Sequence, residues 1–418
     1  MNANYKELQR PEVFNDSIYG YIYIHYDFIK QLINTSPMQR LRRIKQLSCV
    51  HIVFSCAEHS RFSHSLGVYE LARRFLETKH NMLTNILDHR SKLLLLTTSL
   101  LHDVGHGSYS HIFEDIFATN HELKSSQIIT EHHEIINILD QIDSNFKNDV
   151  ASIIEKKNKY PLIEQLLTSQ LDFDRLDYLK RDAYYAGVSY GCIDSERLIR
   201  NMEIDDINNK IVFKKSSIVS IENYLINRYH MYCRVYHHPK VIGFSVILEL
   251  ILKRTKDLLE QKYKFRNNHI ILILKCFLEK PNDIYAYLEI DDVYINMLIF
   301  YLKKEKDKIL SDLCHDFIKR NIWKYLDNIS SENQVKINQI NNFYKENKKY
   351  YTYNKKLSSI IYKEDEKDIS NNILIYKDVK SRHTTLKQES PLLSDLLNIN
   401  LEQKESNFFY RKYKDEKD

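Results

Sequence analysis

The chain has 418 residues, a formal net charge of +5, 28% charged residues and 43% hydrophobic residues. That profile excludes an intrinsically disordered or collagen-like chain, and the charge is too thin over this length to argue for nucleic acid by itself. With only 7 glycines and 6 prolines, helix breakers are scarce, so long helices are expected, in two or three domains or one large helical body with appendages.

Taken in chain order, VFNDSIYGYIYIH (13–25) alternates around Gly20 and predicts a short hairpin. Helical patterning begins at Asp27. In MQRLRRIKQLSCVHIVF (38–54), Leu41, Ile44 and Leu47 have roughly helical spacing, and a β-prone run follows. HSLGVYELARRFLETKH (64–80) predicts a helix with Leu66, Tyr69, Leu71 and Phe75 on or near one face. LLLLTTSLL (93–101) is apolar nearly all round, which predicts a buried helix delivering His102 and Asp103 at its end. Residues 163–186 read as one helical run stopped by Gly187. A strand pair is expected near 204–214, then long helices over 217–262, 269–280 and 291–327. Beyond about 328 the chain is polar, as in YKEDEKD (362–368), and reads as linker, solvated helix or disordered arm. NNILIYKDV and SNFFYRKYK near the end read as short strands. The expected organisation is an N-terminal hairpin and helix (1–45), a catalytic core (46–250), an accessory helical lobe (251–327) and the polar region (328–418).

The six cysteines, at 49, 56, 192, 233, 276 and 314, contain no CxxC pair. That spacing argues for a reducing compartment and against a zinc ribbon or disulfide framework. The first residues hold no apolar h-region, and the apolar runs at 91–101 and 269–278 fall short of the ~20 residues a membrane span needs. A soluble cytoplasmic protein with no membrane partner is expected.

LLHDVGHGSYSH (100–111) places His102-Asp103 beside His106 and His111. An adjacent His-Asp pair offers one nitrogen and one oxygen to the same ion, a mixture suited to Mn, Fe, Zn or Ni. More donors must come from elsewhere. RFSHSLG offers His64, and LDFDRLDYLKRD offers four aspartates. On a helix Asp174, Tyr178 and Asp182 share a face with Arg175 at its side, whereas Asp177 is offset. A second His-Asp dipeptide, His315-Asp316, lacks companion histidines and glycines and reads as surface.

These segments, in this order, resemble the metal-dependent HD-domain phosphohydrolases, most closely the sterile-alpha-motif/HD-type deoxynucleoside triphosphate triphosphohydrolases and their bacterial relatives. VFNDSIYGYI, MQRLRRIKQL, HELKSSQII, RYHMYCRVYHH, YLEIDDVYINMLI and ILSDLCHDFIKRNIWKYL extend the likeness over about 12–327. The resemblance implies a mainly α HD-domain helical fold, with a small N-terminal hairpin and minor C-terminal strands. It implies His64, His102, Asp103 and Asp174 as ligands of a divalent transition metal, with Mg accompanying the triphosphate. It implies His106, His111 and His121 in catalytic positions, with His111 the acid and Glu114 its acidic partner, where a family member has Asp. Arg61, Arg175 and Arg228 match phosphate-gripping positions. Tyr178, Asp182 and Gln46 match sugar contacts, and Tyr236 matches the tyrosine that leaves no room for a 2′ hydroxyl. Gly105 and Gly107 are expected to let the chain turn closely past the substrate, and His132 and His133 to be solvated.

The implied partners are deoxynucleoside triphosphates and further copies of the chain, as dimer or tetramer. Gln39 and Arg42 match a nucleotide-activator segment, but the guanine-reading aspartate is replaced, with Asn34 nearest. Asn lacks the two acceptors of a carboxylate, which argues against GTP and leaves another nucleotide activator or constitutive activity open. The hairpin begins within the first 15 residues, so no sterile-alpha-motif domain is expected. Competing readings are another HD phosphohydrolase acting on monophosphates, cyclic nucleotides or alarmones, and a nucleic-acid binder or nuclease using the Lys-rich 328–418 region. A nucleotide-binding pseudoenzyme is disfavoured by the complete ligand set.

Overall fold

The computed structural model describes residues 6–79, 86–205, 207–327, 330–359, 362, 372–378, 382–398 and 403–413. Strands Glu7–Asp16 (β1) and Gly20–Tyr26 (β2) pair antiparallel, with Asp16 opposite Gly20. Asp16 Oδ1 closes the turn by accepting from the backbone N–H groups of Ile18 and Tyr19. Ile22 and Ile24 point inward while Tyr21 and Tyr23 stay exposed, the alternation a one-faced strand requires. Helix α1 follows at Asp27–Ile33.

The next segment departs from expectation. Only a short helix, Ser36–Arg40, and 3-10 turns at Leu41–Arg43 and Val50–Ile52 form. Its backbone groups bond to distant partners instead. Lys45 N–H donates to Asp292 and Gln46 N–H donates to the His59 carbonyl. Leu41, Ile44 and Leu47 are buried all the same.

Helix α2 (Arg61–Thr78) packs on α3 (His89–Leu101), whose residues Leu93 to Leu101 are all buried, as its apolar circumference predicts. Helices α4 (His111–Phe117) and α5 (His121–Glu131) each begin at a histidine, His111 and His121. The run expected over 163–186 is two helices. Pro161–Thr168 ends, and Asp172 starts α6 (Phe173–Ala186) by accepting from Arg175 N–H at 2.7 Å. Gly187 terminates α6 as expected.

The run over 217–262 is likewise broken. Helix α7 (Ile218–Met231) passes into a π-helical turn at Tyr232–Tyr236, and Pro239, which has no N–H to continue a ladder, opens α8 (Pro239–Glu260). The two axes bend by 57°. A helix at Asn268–Glu279 matches expectation. The 291–327 run divides into α9 (Asp292–Leu302) and a Lys308–Ile318 helix started by the Asp307 cap, and ends in strand β5 (Lys324–Asp327).

The C-terminal region is more than a linker. After a helix at Ser331–Tyr344, strand β6 (Thr352–Ser359) and the last strand, β9 (Gln403–Tyr410), form a sheet of order β5-β9-β6. The expected pair β3 (Met202–Asp205) and β4 (Lys210–Phe213) gains β7 (Leu374–Asp378) and β8 (Arg382–Thr385), β4 and β7 running parallel. Most of YKEDEKD lies outside the described residues. His315 is exposed, but Asp316 is buried, contrary to expectation: it accepts from Arg411 Nε at 2.6 Å and from Trp323 Nε1 at 3.4 Å. All six cysteines are free thiols. Among the described residues no single helix is long and apolar enough to cross a membrane. The bent pair Lys215–Tyr236 and Pro239–Glu260 passes that test only by length and composition.

Candidate active site

Helices α2, α3 and α6 bring three of the four expected metal donors together. His64 Nε2, His102 Nε2 and an Asp174 oxygen lie within 4.8 Å of one another. Asp103 flanks the group, its carboxylate 3.7 Å from His64 Nε2 and 3.5 Å from His102 Nε2. It also pairs with Arg61 and lies 3.3 Å from His106 Nε2. The tautomers suit a metal. His64 Nδ1 is 2.7 Å from Asp177 and His102 Nδ1 is 2.9 Å from the Ser99 carbonyl, so each Nδ1–H is spent on an acceptor. Both Nε2 atoms are buried without a hydrogen bond, their lone pairs turned to the shared space. The residues present therefore fit a divalent ion with nitrogen and oxygen donors.

The electrostatics follow from burial and crowding. Burial opposes a charge on Asp103, yet His106, His102 and Arg61 hold its carboxyl well below the usual carboxylate range. Burial, then Arg61, pushes His106 down. Burial also opposes the charge on His64, but Asp174 and Asp177 outweigh it and push the group up to about 10.

Beside these donors stands a second constellation. Glu114 Oε2 lies 2.9 Å from His111 Nδ1, and Oε1 lies 2.7 Å from both Nδ1 and the backbone N–H of His121. The longer glutamate thus still reaches both histidines. Burial opposes its charge, but the bonds from His111 and His121 hold it below the carboxylate range. His121 stacks on His106 with ring centroids 4.0 Å apart, while the His111 side chain is 73% exposed toward the cavity. The turn that presents His111 is unusual: Tyr109 and Ser110 both take left-handed φ, at 54° and 52°.

A cavity of about 680 Å³ opens beside both constellations. Gln46, Arg61, Asp174, Arg175, Tyr178, Asp182 and Tyr236 all line it, so the i, i+4, i+8 face of α6 is a wall as read from the sequence. Asp182 is clamped, with Oδ1 2.8 Å from His59 Nε2 and Oδ2 accepting from the Tyr236 hydroxyl at 2.6 Å. Gln46 Oε1, Arg175 Nε and Arg228 Nε are buried with no hydrogen-bond partner. Arg228 stands behind the wall, donating to Gln170 at 3.1 Å, and Arg175 is tied to Asp172. Gln39 and Arg42 bond to each other at 2.9 Å, outside the cavity lining. Asn34 donates to the Lys30 carbonyl.

Two glycines make this geometry reachable. A Cβ on Gly67 would stand 1.9 Å from Asp177 Oδ1, so only glycine lets α2 and α6 approach closely enough for Asp177 to hold His64. A Cβ on Gly105 would stand 2.1 Å from Ser125 N, so this glycine admits α5 rather than a substrate. Gly107 likewise faces Phe113 and Tyr287. His132, expected to be solvated, is buried and stacks on His133 and beside Tyr285. The sequence reading missed His59, Ser99, Ser110 and the role of Asp177. Ser110 Oγ accepts from Arg61 Nε at 3.0 Å and Nη2 at 2.8 Å. Of these only Asp177 gave a signal, one offset position in a motif already singled out.

Residues 61–182 match the HD domain and residues 193–271 match the HD associated region. The chain is 38% identical over 340 residues to the uncharacterized protein YwfO of Bacillus subtilis, an alignment covering 81% of this chain and 77% of that protein. It is 28% identical over 347 residues to a Dictyostelium discoideum protein named deoxynucleoside triphosphate triphosphohydrolase SAMHD1 homolog, covering 78% of this chain and 62% of that one. A crystal structure of a phosphohydrolase from Bacteroides thetaiotaomicron is similar with a TM-score of 0.82 and 26% identity, covering 96% of this chain and 100% of that one.

Proposed function

Since the chain belongs to the HD-domain phosphohydrolases, we propose that it hydrolyses deoxynucleoside triphosphates to the deoxynucleoside and inorganic tripolyphosphate. The observation that carries this reading is a single cavity onto which Asp103 and Asp174, His111 and His121, and the Gln46–Asp182–Tyr236 wall all open. The name of the Dictyostelium relative supports it.

His64, His102, Asp103 and Asp174 would hold the divalent ion, which supplies Lewis acidity and a fixed positive charge when bound. Asp177 and the Ser99 carbonyl orient the two histidines by accepting from Nδ1–H, which leaves Nε2 as the atom that would face the ion. Glu114 stays ionised and holds His111 through Nδ1, which leaves the Nε2 proton as the one His111 can give. Water adds to the α-phosphorus and sheds one proton to solvent, the bond to the 5′ oxygen breaks, and His111 protonates that oxygen as it leaves. A triphosphate brings about four negative charges, which Arg61 and Arg175, with its Nε donor unspent, meet at the cavity wall, while Arg228 adds its charge from behind that wall. Gln46 and Asp182 bond the 3′ hydroxyl. Tyr236, fixed to Asp182, crowds the sugar where a ribonucleotide would carry its 2′ hydroxyl. The working form is a homo-oligomer, and Gln39 and Arg42 mark where a nucleotide activator would dock.

The test is product identification. Purified protein loaded with Mn is incubated with each dNTP and with ATP, and products are separated by anion exchange. Tripolyphosphate with free deoxynucleoside is expected, lost in the His102→Ala/Asp103→Ala variant. Orthophosphate or a nucleoside monophosphate as product overturns the reading, and equal cleavage of ATP and dATP overturns the sugar selection.

A further inference from the structure

The cavity lining also includes one face of α8, within the HD associated region, and a residue of β6, which lies outside both family-matching regions. Val241, Ile242, Ser245, Val246 and Glu249 fall on one face of α8 and all line it. A rise of 1.5 Å per residue puts Glu249 about 12 Å along the helix from Val241. Leu47, Cys49 and Val50 add further mostly apolar lining beside this stripe. Strand β6 closes the end. Lys355 Nζ donates to Glu249 Oε2 at 3.2 Å, and the hydroxyl of Tyr353 donates to Glu249 Oε1. Glu249 is only 6% exposed and has both oxygens engaged, whereas the bond to Glu249 uses one of the three N–H donors of Lys355.

Lys355 is held in place by more than its own ion pair. β6 pairs with β9 from Thr352–Tyr410 to Ser359–Gln403. The β9 residue Phe409 rests on α8 at Gly243, where a Cβ would fall 3.3 Å from the ring and 3.2 Å from the Trp323 carbonyl. The sheet is therefore seated on the same helix that forms the cavity wall.

We propose that Lys355 is a specificity-determining residue that reads hydrogen-bond acceptors on the base of the bound deoxynucleotide, an inference that rests on the preceding reading of the cavity. Apolar walls accept the flat face of any base and discriminate weakly, so selection falls to the polar end. At the purine C6 or pyrimidine C4 position an ammonium finds the keto oxygen of guanine or thymine, and meets the exocyclic amine of adenine or cytosine. The enzyme therefore prefers dGTP and dTTP. Removing Lys355 leaves an acceptor, Glu249, in its place, which reverses the preference toward dATP and dCTP.

The experiment compares kcat/KM for the four dNTPs in the full-length wild type, Lys355→Met and Lys355→Arg. The expected result is a keto-to-amino ratio above one in the wild type, roughly tenfold lower in Lys355→Met through KM, and largely kept in Lys355→Arg. Product identity and metal requirement stay unchanged. The same ratios are read without turnover by equilibrium binding of each dNTP in EDTA. A wild type that releases no tripolyphosphate overturns the proposed activity. An unchanged ratio in folded Lys355→Met, by kinetics or by binding, overturns the assignment of Lys355.

Discussion

His64 illustrates how much of the site depends on a side chain that touches no substrate. Its imidazole is fully buried, and Asp177 accepts a hydrogen bond from Nδ1–H. An amide at 177 would present a donor to that nitrogen and favour the other tautomer, with a proton on Nε2. Asp177→Asn is therefore expected to weaken metal affinity about 10–100-fold, read by competitive titration against a chelating dye. A folded variant with wild-type affinity would sink this account. That His64, His102, Asp174 and the histidines near Glu114 gather in one place was legible because their residue types recur at motif spacing. His59 and Ser110 were not, because each serves a partner 123 or 49 residues away and leaves no local pattern.

At the level of elements, the contact of α2 with α6 decides whether the donors converge. Gly67 is the point of closest approach, so Gly67→Val should force the helices apart. We expect a loss of about 3 kcal/mol in urea unfolding, with metal affinity falling in parallel. Stability lost with affinity intact would separate the packing from the site. Helices were read well where the apolar residues run all round, as in α3. They were read too long where periodicity carried across a cap or a proline, at Asp172, Pro239 and Asp307. Those breaks are written in single residues, and a periodic window averages over them. The 38–54 segment failed for another reason: its backbone groups bond to residues near 59 and 292, and tertiary partners overrode helical spacing.

Across the whole molecule, the C-terminal region was the least legible part, because its strands pair with segments far away in sequence. Asp316 ties it down by accepting from Arg411 and Trp323. Asp316→Ala leaves the half-buried Arg411 guanidinium with Asp312 alone, 3.1 Å from Nη1, and should cost about 1–2 kcal/mol. Protease protection of the 403–413 strand would fall before that of the HD core. Equal protection of both would show that the tail is held by its sheet alone.

The cavity draws its two ends from stretches more than a hundred residues apart, and this bears on how such a protein can change over generations. The proposed donors and relay lie between His64 and Asp174, under the constraint of mutual contact. The lysine proposed to read the base lies on β6, which pairs with β9 far along the chain. Mutation can thus explore new diets at one end while the inherited reaction at the other stays unchanged. A lineage of these chains could diverge in what it consumes without passing through an inactive ancestor.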